Sequence, residues 1–243
     1  MNTPFAKKTA LAFAVMGTLV LTGCPSSNNK SEPAKPDAPK PPAAKTYDYK
    51  VTVSNLTPKQ PFSPITLLAH KASDPIWTAG APASVALEKL AEAGANSDFR
   101  NQKGVYKLVS GRGHVDPGMS QTNTISLTPE QVDRFTVLTM LINTNDAFTG
   151  VGNYNLKGLK VGEKVSFRAN SYDSGTEKNS EERATIPGPA GGGQGFNAER
   201  DDINKVYIHS GAITQAGGLA DSALTPAHRW DNPTMSVVIE RTK

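Results

Sequence analysis

One cysteine, Cys24, and four histidines are a thin supply of metal-binding side chains for 243 residues. A lone thiol excludes an intrachain disulfide framework. His70, His114, His209 and His228 stand too far apart for the H-x-x-x-H spacing of a zinc site. Long apolar runs are missing too: the uncharged apolar run near the N-terminus, residues 10–22, is 13 residues, too short to cross a hydrocarbon core of ~30 Å as a helix. The glycine-rich run PGPAGGGQGF (187–196) is not followed by Gly-Lys-Ser/Thr, which excludes a phosphate-binding P-loop, and no G-x-S-x-G elbow occurs. A Ser-His-Asp triad, whose members meet only in space, leaves no comparable mark in a sequence.

Positive charge is in excess, but not where a nucleic-acid partner would need it. The sequence pI is about 9.1 and the net charge +4. The first 46 residues hold six of the 26 basic and two of the 22 acidic residues, which leaves residues 47–243 with twenty of each. That is a basic leash on a neutral domain, and it argues against nucleic acid. Residues 25–46 are Pro, Lys, Ala and Ser with no aromatic or branched apolar side chain. Such a segment cannot bury enough surface to offset its ordering entropy, and reads as a disordered spacer reaching up to ~70 Å at ~3.1 Å per residue.

What is present at the N-terminus is a basic pair, Lys7 and Lys8, then the short apolar run and small residues. This is the pattern of a signal peptide over residues 1–23. Its end, Leu21-Thr22-Gly23-Cys24, resembles the lipobox of bacterial lipoproteins. The resemblance implies a lipid on the Cys24 sulfur, cleavage before Cys24, and a tether over residues 24–46. The expected partner of this end is therefore a membrane. Pro25 is not the aspartate that favours inner-membrane retention, so a two-membraned cell is expected to hold the anchor in its outer membrane, facing periplasm or surface.

Residues 47–243 are enough for one domain with its own core. Tyr47, Tyr49, Val51 and Val53 alternate on one face, and short β-like runs follow at 65–70, 105–110, 122–127, 135–142, 164–170, 205–210 and 234–240. Only SVALEKLAEAG (84–94) reads as a helix, with Ser84 as N-cap and Gly94 closing it; Thr128 to Gln131 can cap one further turn. Too few helices are present for the crossovers of a parallel sheet. The expected class is all-β: an eight-stranded antiparallel β-sandwich with one short helix. Trp77 and Trp230 lie beside turns and read as core or edge plugs.

The longest irregular stretch, 170–204, follows the second of two acidic strand ends. Asp146 follows the strand ending at Ile142; Asp173 and Glu177 flank Gly175 after the strand ending near Asn170. Calcium takes six to eight hard oxygens, and these three acids with loop carbonyls could supply them. Gly175 permits the tight turn that would aim two acids at one ion. Spacing alone does not separate this from solvated loop charge. Paired acids also occur at Asp201-Asp202 and Glu181-Glu182, the residues an envelope hydrolase would use. Adjacent residues on a strand point to opposite faces, so solvation is the simpler account of those pairs.

The order of YKVTVSNLT (49–57), PFSPITLLAH (61–70), ALEKLAEAG (86–94), TMLINTNDAFTG (139–150), YDSGTE (172–177), IPGP (186–189), VYIHSG (206–211) and the closing WDNP (230–233) resembles the spondin N-terminal domain family. The resemblance implies an eight-stranded antiparallel sandwich and one calcium ion held by Asp146, Asp173 and Glu177. Glu177 stands where animal members usually carry aspartate, and Gly152 where an acid or amide is common. The family's role as an adhesion and recognition module implies a non-enzymatic domain whose partner is an extracytoplasmic protein or glycan. A purely structural envelope protein is the remaining alternative.

Overall fold

The computed structural model describes residues 44–243. The expected signal peptide (1–23), Cys24 and the tether as far as residue 43 lie outside the described residues. In chain order the strands are β1 (Tyr47–Asn55), β2 (Thr66–His70), β3 (Val105–Ser110), β4 (Ser120–Leu127), β5 (Arg134–Met140), β6 (Ala147–Tyr154), β7 (Lys164–Ala169), β8 (Ser171–Asp173), β9 (Tyr207–Ile208) and β10 (Met235–Arg241). Among the described residues one α-helix, α1 (Val85–Ala93), lies between β2 and β3.

Alternation in β1 decides which way the first sheet faces. Tyr49, Val51 and Val53 are buried while Lys50 is exposed. β1 pairs antiparallel with β10 (Val51 opposite Ile239) and with β4 (Tyr49 opposite Ile125). With β7 added beyond β10, the four-stranded sheet runs β4-β1-β10-β7. The other sheet runs β3-β2-β5-β6-β8-β9, its described pairings again antiparallel.

Strands β2 and β5 read as unbroken apolar runs because both faces of their sheet are covered. Leu67 and Val137 face the four-stranded sheet with Val51, Val237 and Ile239, while Leu68, Leu138 and Phe148 face α1 through Leu87 and Leu90. The helix ends where its sequence places them: the Ser84 hydroxyl accepts the Leu87 N–H at 3.2 Å, and Gly94 takes a left-handed conformation at φ 67°. Thr128 N–H donates to Gln131 Oε1 in the expected capped turn, a single 3-10 turn over Pro129–Gln131. Among the described residues no helix is long and apolar enough to cross a membrane.

The sandwich is as read, with two strands more than the eight expected. β6 escaped the pattern because its two glycines sit where side chains do not fit. A Cβ at Gly150 would lie 2.3 Å from the Val137 carbonyl oxygen, and one at Gly152 would lie 3.1 Å from the Trp77 ring. β8 is only three residues long, and the run read at 205–210 narrows to Tyr207–Ile208. Trp77 packs edge-on against Phe148, and buried Trp230 donates its indole N–H to Ser171 Oγ. Both act as the plugs their turns suggested.

Candidate functional site

Two loops meet at the end of the sandwich where β1 finishes. The segment after β5, residues 141–146, is closed by Thr144, whose hydroxyl donates to Leu141 O (2.6 Å) and accepts the Ala147 N–H. It is tied to the chain beyond β1 by Asn143, whose side-chain amide donates to Lys59 O. The register Ala147 opposite Asp173 then sets Asp146 beside the turn that leaves β8. That turn needs glycine: Gly175 has φ 70°, and a Cβ there would lie 2.2 Å from the Lys205 carbonyl oxygen.

Asp146 is fully enclosed. Its Oδ2 accepts the Ser174 hydroxyl at 2.8 Å and the N–H groups of Thr176 and Glu177 at 2.9 and 3.1 Å. Its Oδ1 is buried and meets no donor. Asp173, equally enclosed, accepts the Gly175 N–H on Oδ1 and the Asn179 amide on Oδ2. Glu177 accepts the Asn145 amide on Oε1, and its buried Oε2 meets no donor. A fourth acid joins them from α1. Glu92 accepts the Thr176 hydroxyl at 2.6 Å and the Asn197 N–H at 2.8 Å.

Burial shifts all four toward the protonated form. It pushes Asp146 up to about 7, helped by the Asp173 charge, although the three donors on Oδ2 pull the other way. Glu177 is pushed up to about 8 by burial, against the Asn145 hydrogen bond and with the charges of Glu92, Asp146 and Asp201. Burial likewise raises Glu92 to about 7, and raises Asp173 despite hydrogen bonds from Asn179 and Gly175. His209 brings no compensating charge. Burial lowers its pKa; its Nδ1 accepts the Gly211 N–H, so the proton sits on Nε2 and points at Asn179 Oδ1. Its 3.9 Å approach to Asp173 is therefore not an ion pair.

The three acids expected from the sequence thus share one loop cluster. Among the described residues, however, no three His, Cys, Asp or Glu side chains are arranged to hold one ion. Asn145 bears on this directly, because its amide grips both Glu177 and Thr185 while its carbonyl takes the Glu181 N–H. Gly152 belongs to a different environment, under the Trp77 ring, so its lack of a carboxylate is a matter of packing. The paired acids differ in their partners. Glu181 spends both oxygens on the N–H groups of Ile213 and Thr214 and on Ser222 Oγ, while Asp201 takes the Lys178 N–H and Asp202 the Tyr207 hydroxyl.

Sequence reasoning missed Glu92 and its neighbour Glu88, which forms a buried ion pair with Arg200. Both acids lie one turn apart on α1, and the sequence reading of that helix did not single them out. The signal that could have found them is their position flanking Leu87, Leu90 and Ala91 on the buried side of the helix.

Comparison with curated proteins finds no match. A family model, Spondin_N, matches residues 48–187, from β1 through Asp146, Asp173 and Glu177 to the residue after Ile186. With more than half of its length matched, in a two-sheet antiparallel sandwich, the chain belongs to the Spondin_N family.

Proposed function

We propose that the protein is a membrane-anchored extracytoplasmic binding module, in which one calcium ion among Asp146, Asp173 and Glu177 steadies the loops that meet a protein or glycan. The family supports an adhesion-type domain. The anchor rests on the lipobox-like Leu21-Thr22-Gly23-Cys24, and the choice of the outer membrane on Pro25.

One observation carries the cation: Asp146 Oδ1, an enclosed carboxylate oxygen without a donor, beside further buried acids and a neutral histidine. A carboxylate ionised in such a place needs a positive partner. Glu177 Oε2 is a second oxygen of the same kind. An all-oxygen donor set suits calcium better than zinc or copper. Asp146 Oδ1 and Glu177 Oε2 would hold the ion with Asp173 beside them, once Glu177 closes on the aspartate pair. When bound, the ion supplies charge compensation. The chain's own residues do the orienting: Ser174, Thr176 and the Glu177 N–H fix Oδ2 of Asp146 so that Oδ1 is the free oxygen.

The hydrolase alternative gains no support from Glu181, whose two oxygens are both engaged by donors. Calorimetric titration of the chelated protein tests the cation. One calcium per chain is expected, with binding lost in Asp173→Asn. At a Kd of ~10⁻⁴ M, about 10 mM calcium should stabilise the fold by ~2.7 kcal/mol. An absence of calcium heat, together with identical melting in chelator and in calcium, would rule the site out.

A further inference from the structure

The end of the sandwich opposite the acidic loops carries the contrary charge. β1 begins there at Tyr47, and the pairing with β10 brings Arg241 and Lys243 beside it, with the Asp48 N–H donating to Lys243 O. The Arg241 guanidinium carbon lies 4.0 Å from the Tyr47 ring centroid and the Lys45 ammonium 5.4 Å. From the second sheet Lys107 donates to the carbonyl of Ser126, the residue set opposite Asp48. Lys71 follows two residues after Ala69, the partner of Lys107. Among the described residues none of these five cations takes part in an ion pair. The acids around them are mostly engaged. Asp74, Asp133, Glu163 and Glu240 each pair with a lysine or arginine, which leaves Asp48 and Glu130 without one.

An apolar tip stands at the same end. The turn from Lys160 to Glu163, closed by the Glu163 N–H on Lys160 O, holds Val161 with 60 % of its surface exposed. This turn is fixed against the cationic cluster: the Gly162 N–H donates to Arg241 O at 2.7 Å, and Arg241 Nη1 donates to Leu159 O at 2.9 Å. Exposed Lys157 and Lys160 precede the valine closely in the chain. Cations around an exposed aliphatic tip suit a headgroup layer, where the cations meet phosphate and the tip reaches the acyl boundary.

We propose that this end of the domain is a docking face for an anionic phospholipid bilayer, seated by Lys45, Lys71, Lys107, Arg241 and Lys243 with Val161 in the interface. Residues 47–243 carry twenty charges of each sign, so the domain as a whole has no net pull toward an anionic surface. The separation of charge along its length turns this end toward one. A bilayer fits better than an acidic polymer because of the exposed valine, and because the chain before residue 44 leads to Cys24. The inference rests on the membrane-anchor reading and deepens it: the domain seats end-on, with its acidic loops directed away from the lipid.

The test is co-sedimentation with vesicles, in chelator and at about 0.1 M salt, of the purified full chain carrying Cys24→Ser so that no acyl group takes part. Phosphatidylcholine vesicles with about one phosphatidylglycerol in three should hold the protein more tightly than pure phosphatidylcholine, and added salt should release it. Lys45→Gln/Lys71→Gln/Lys243→Gln should weaken that binding by at least about tenfold. Lys59→Gln/Lys178→Gln/Lys205→Gln removes the same charge from exposed lysines at the acidic end and should bind like the wild type. Val161→Gln leaves the charge unchanged and should weaken binding severalfold. The N-terminal residues are common to every arm, and thermal melting checks that the variants fold. Equal loss in the two lysine variants, equal binding to both vesicles, or unchanged binding of Val161→Gln would overturn the proposal. Fatty-acid labelling in cells separates the two readings: label on wild-type Cys24 without charge-selective binding sinks the docking face alone, whereas no label removes the anchor it rests on.

Discussion

In chelator, raising the pH from about 6 to about 8 should destabilise the domain through Asp146, contrary to the usual effect of ionising carboxylates. The folded-state pKa is about 7, well above the ordinary aspartate value. The folded chain therefore keeps a proton that the unfolded chain has already released. That group's contribution to stability is complete below the unfolded value and is lost as pH climbs through about 7. Integrated over this window, Asp146 alone contributes about 1.4 kcal/mol. Glu92 and Glu177, raised to about 7 and about 8, act with the same sign, though mutual repulsion makes the three less than additive.

Buried His70, His209 and His228 oppose this, since burial lowers each of them. The unfolded chain takes up those protons first, which costs stability toward the acid side. Comparison with Asp146→Asn cancels His70 and His228, which the Asp146 charge does not influence. The wild type should lose about 1.4 kcal/mol more than the variant across the window, or about 3–6 °C in melting temperature for a domain of this size. Circular dichroism melts of both proteins in chelator provide the measurement. Parallel pH dependence in wild type and variant would refute the reasoning, because Asp146 would then be ionised alike in folded and unfolded chains.

Other perturbations follow from single contacts. Gly152→Asp, which restores an acid common in the family, should weaken the fold by about 1–3 kcal/mol in urea without strengthening calcium binding, because its Cβ meets the Trp77 ring. Arg200→Ala should cost about 3–5 kcal/mol at neutral pH by leaving Glu88 buried and unpaired, and Glu88→Gln in the same chain should recover much of it. Cys24→Ser should abolish incorporation of labelled fatty acid in cells; equal label on the mutant would remove the anchor.

How far the sequence could be read depended on the range of the interaction. Ser84, Gly94 and the Thr128–Gln131 pair act within one turn, and each occupies the role its type suggests. The runs at 65–70 and 135–142 are continuous because two different cores claim alternate residues, Leu67 and Val137 on one side, Leu68 and Leu138 on the other. The harder features were long-range. Glu88 is buried by Arg200, 112 residues later, and Glu92 by Thr176, 84 residues later. Gly152 invites reading as a missing ligand until Trp77 is seen above it. At the candidate site the motif gave the neighbourhood of the three acids but not the side-chain directions. The Asn145 hydrogen bond on Glu177 is a tertiary contact that no spacing encodes.

The course of β1 also sets how the domain would carry tension. The strand enters at Tyr47 and delivers the chain at Asn55 to the end where the acidic loops gather, about 27 Å along the sheet. In the proposed arrangement, a pull between Tyr47 and a partner held at those loops would run parallel to β1. That strand is flanked on both sides, paired with β4 over eight residues and with β10 over seven. Load along its axis shears both ladders together, whereas a load across it would open them one bond at a time. Resistance then depends on the barrier to unfolding, not on the equilibrium stability. Under the proposed anchoring and binding, the central strand would make the domain a shear-loaded link.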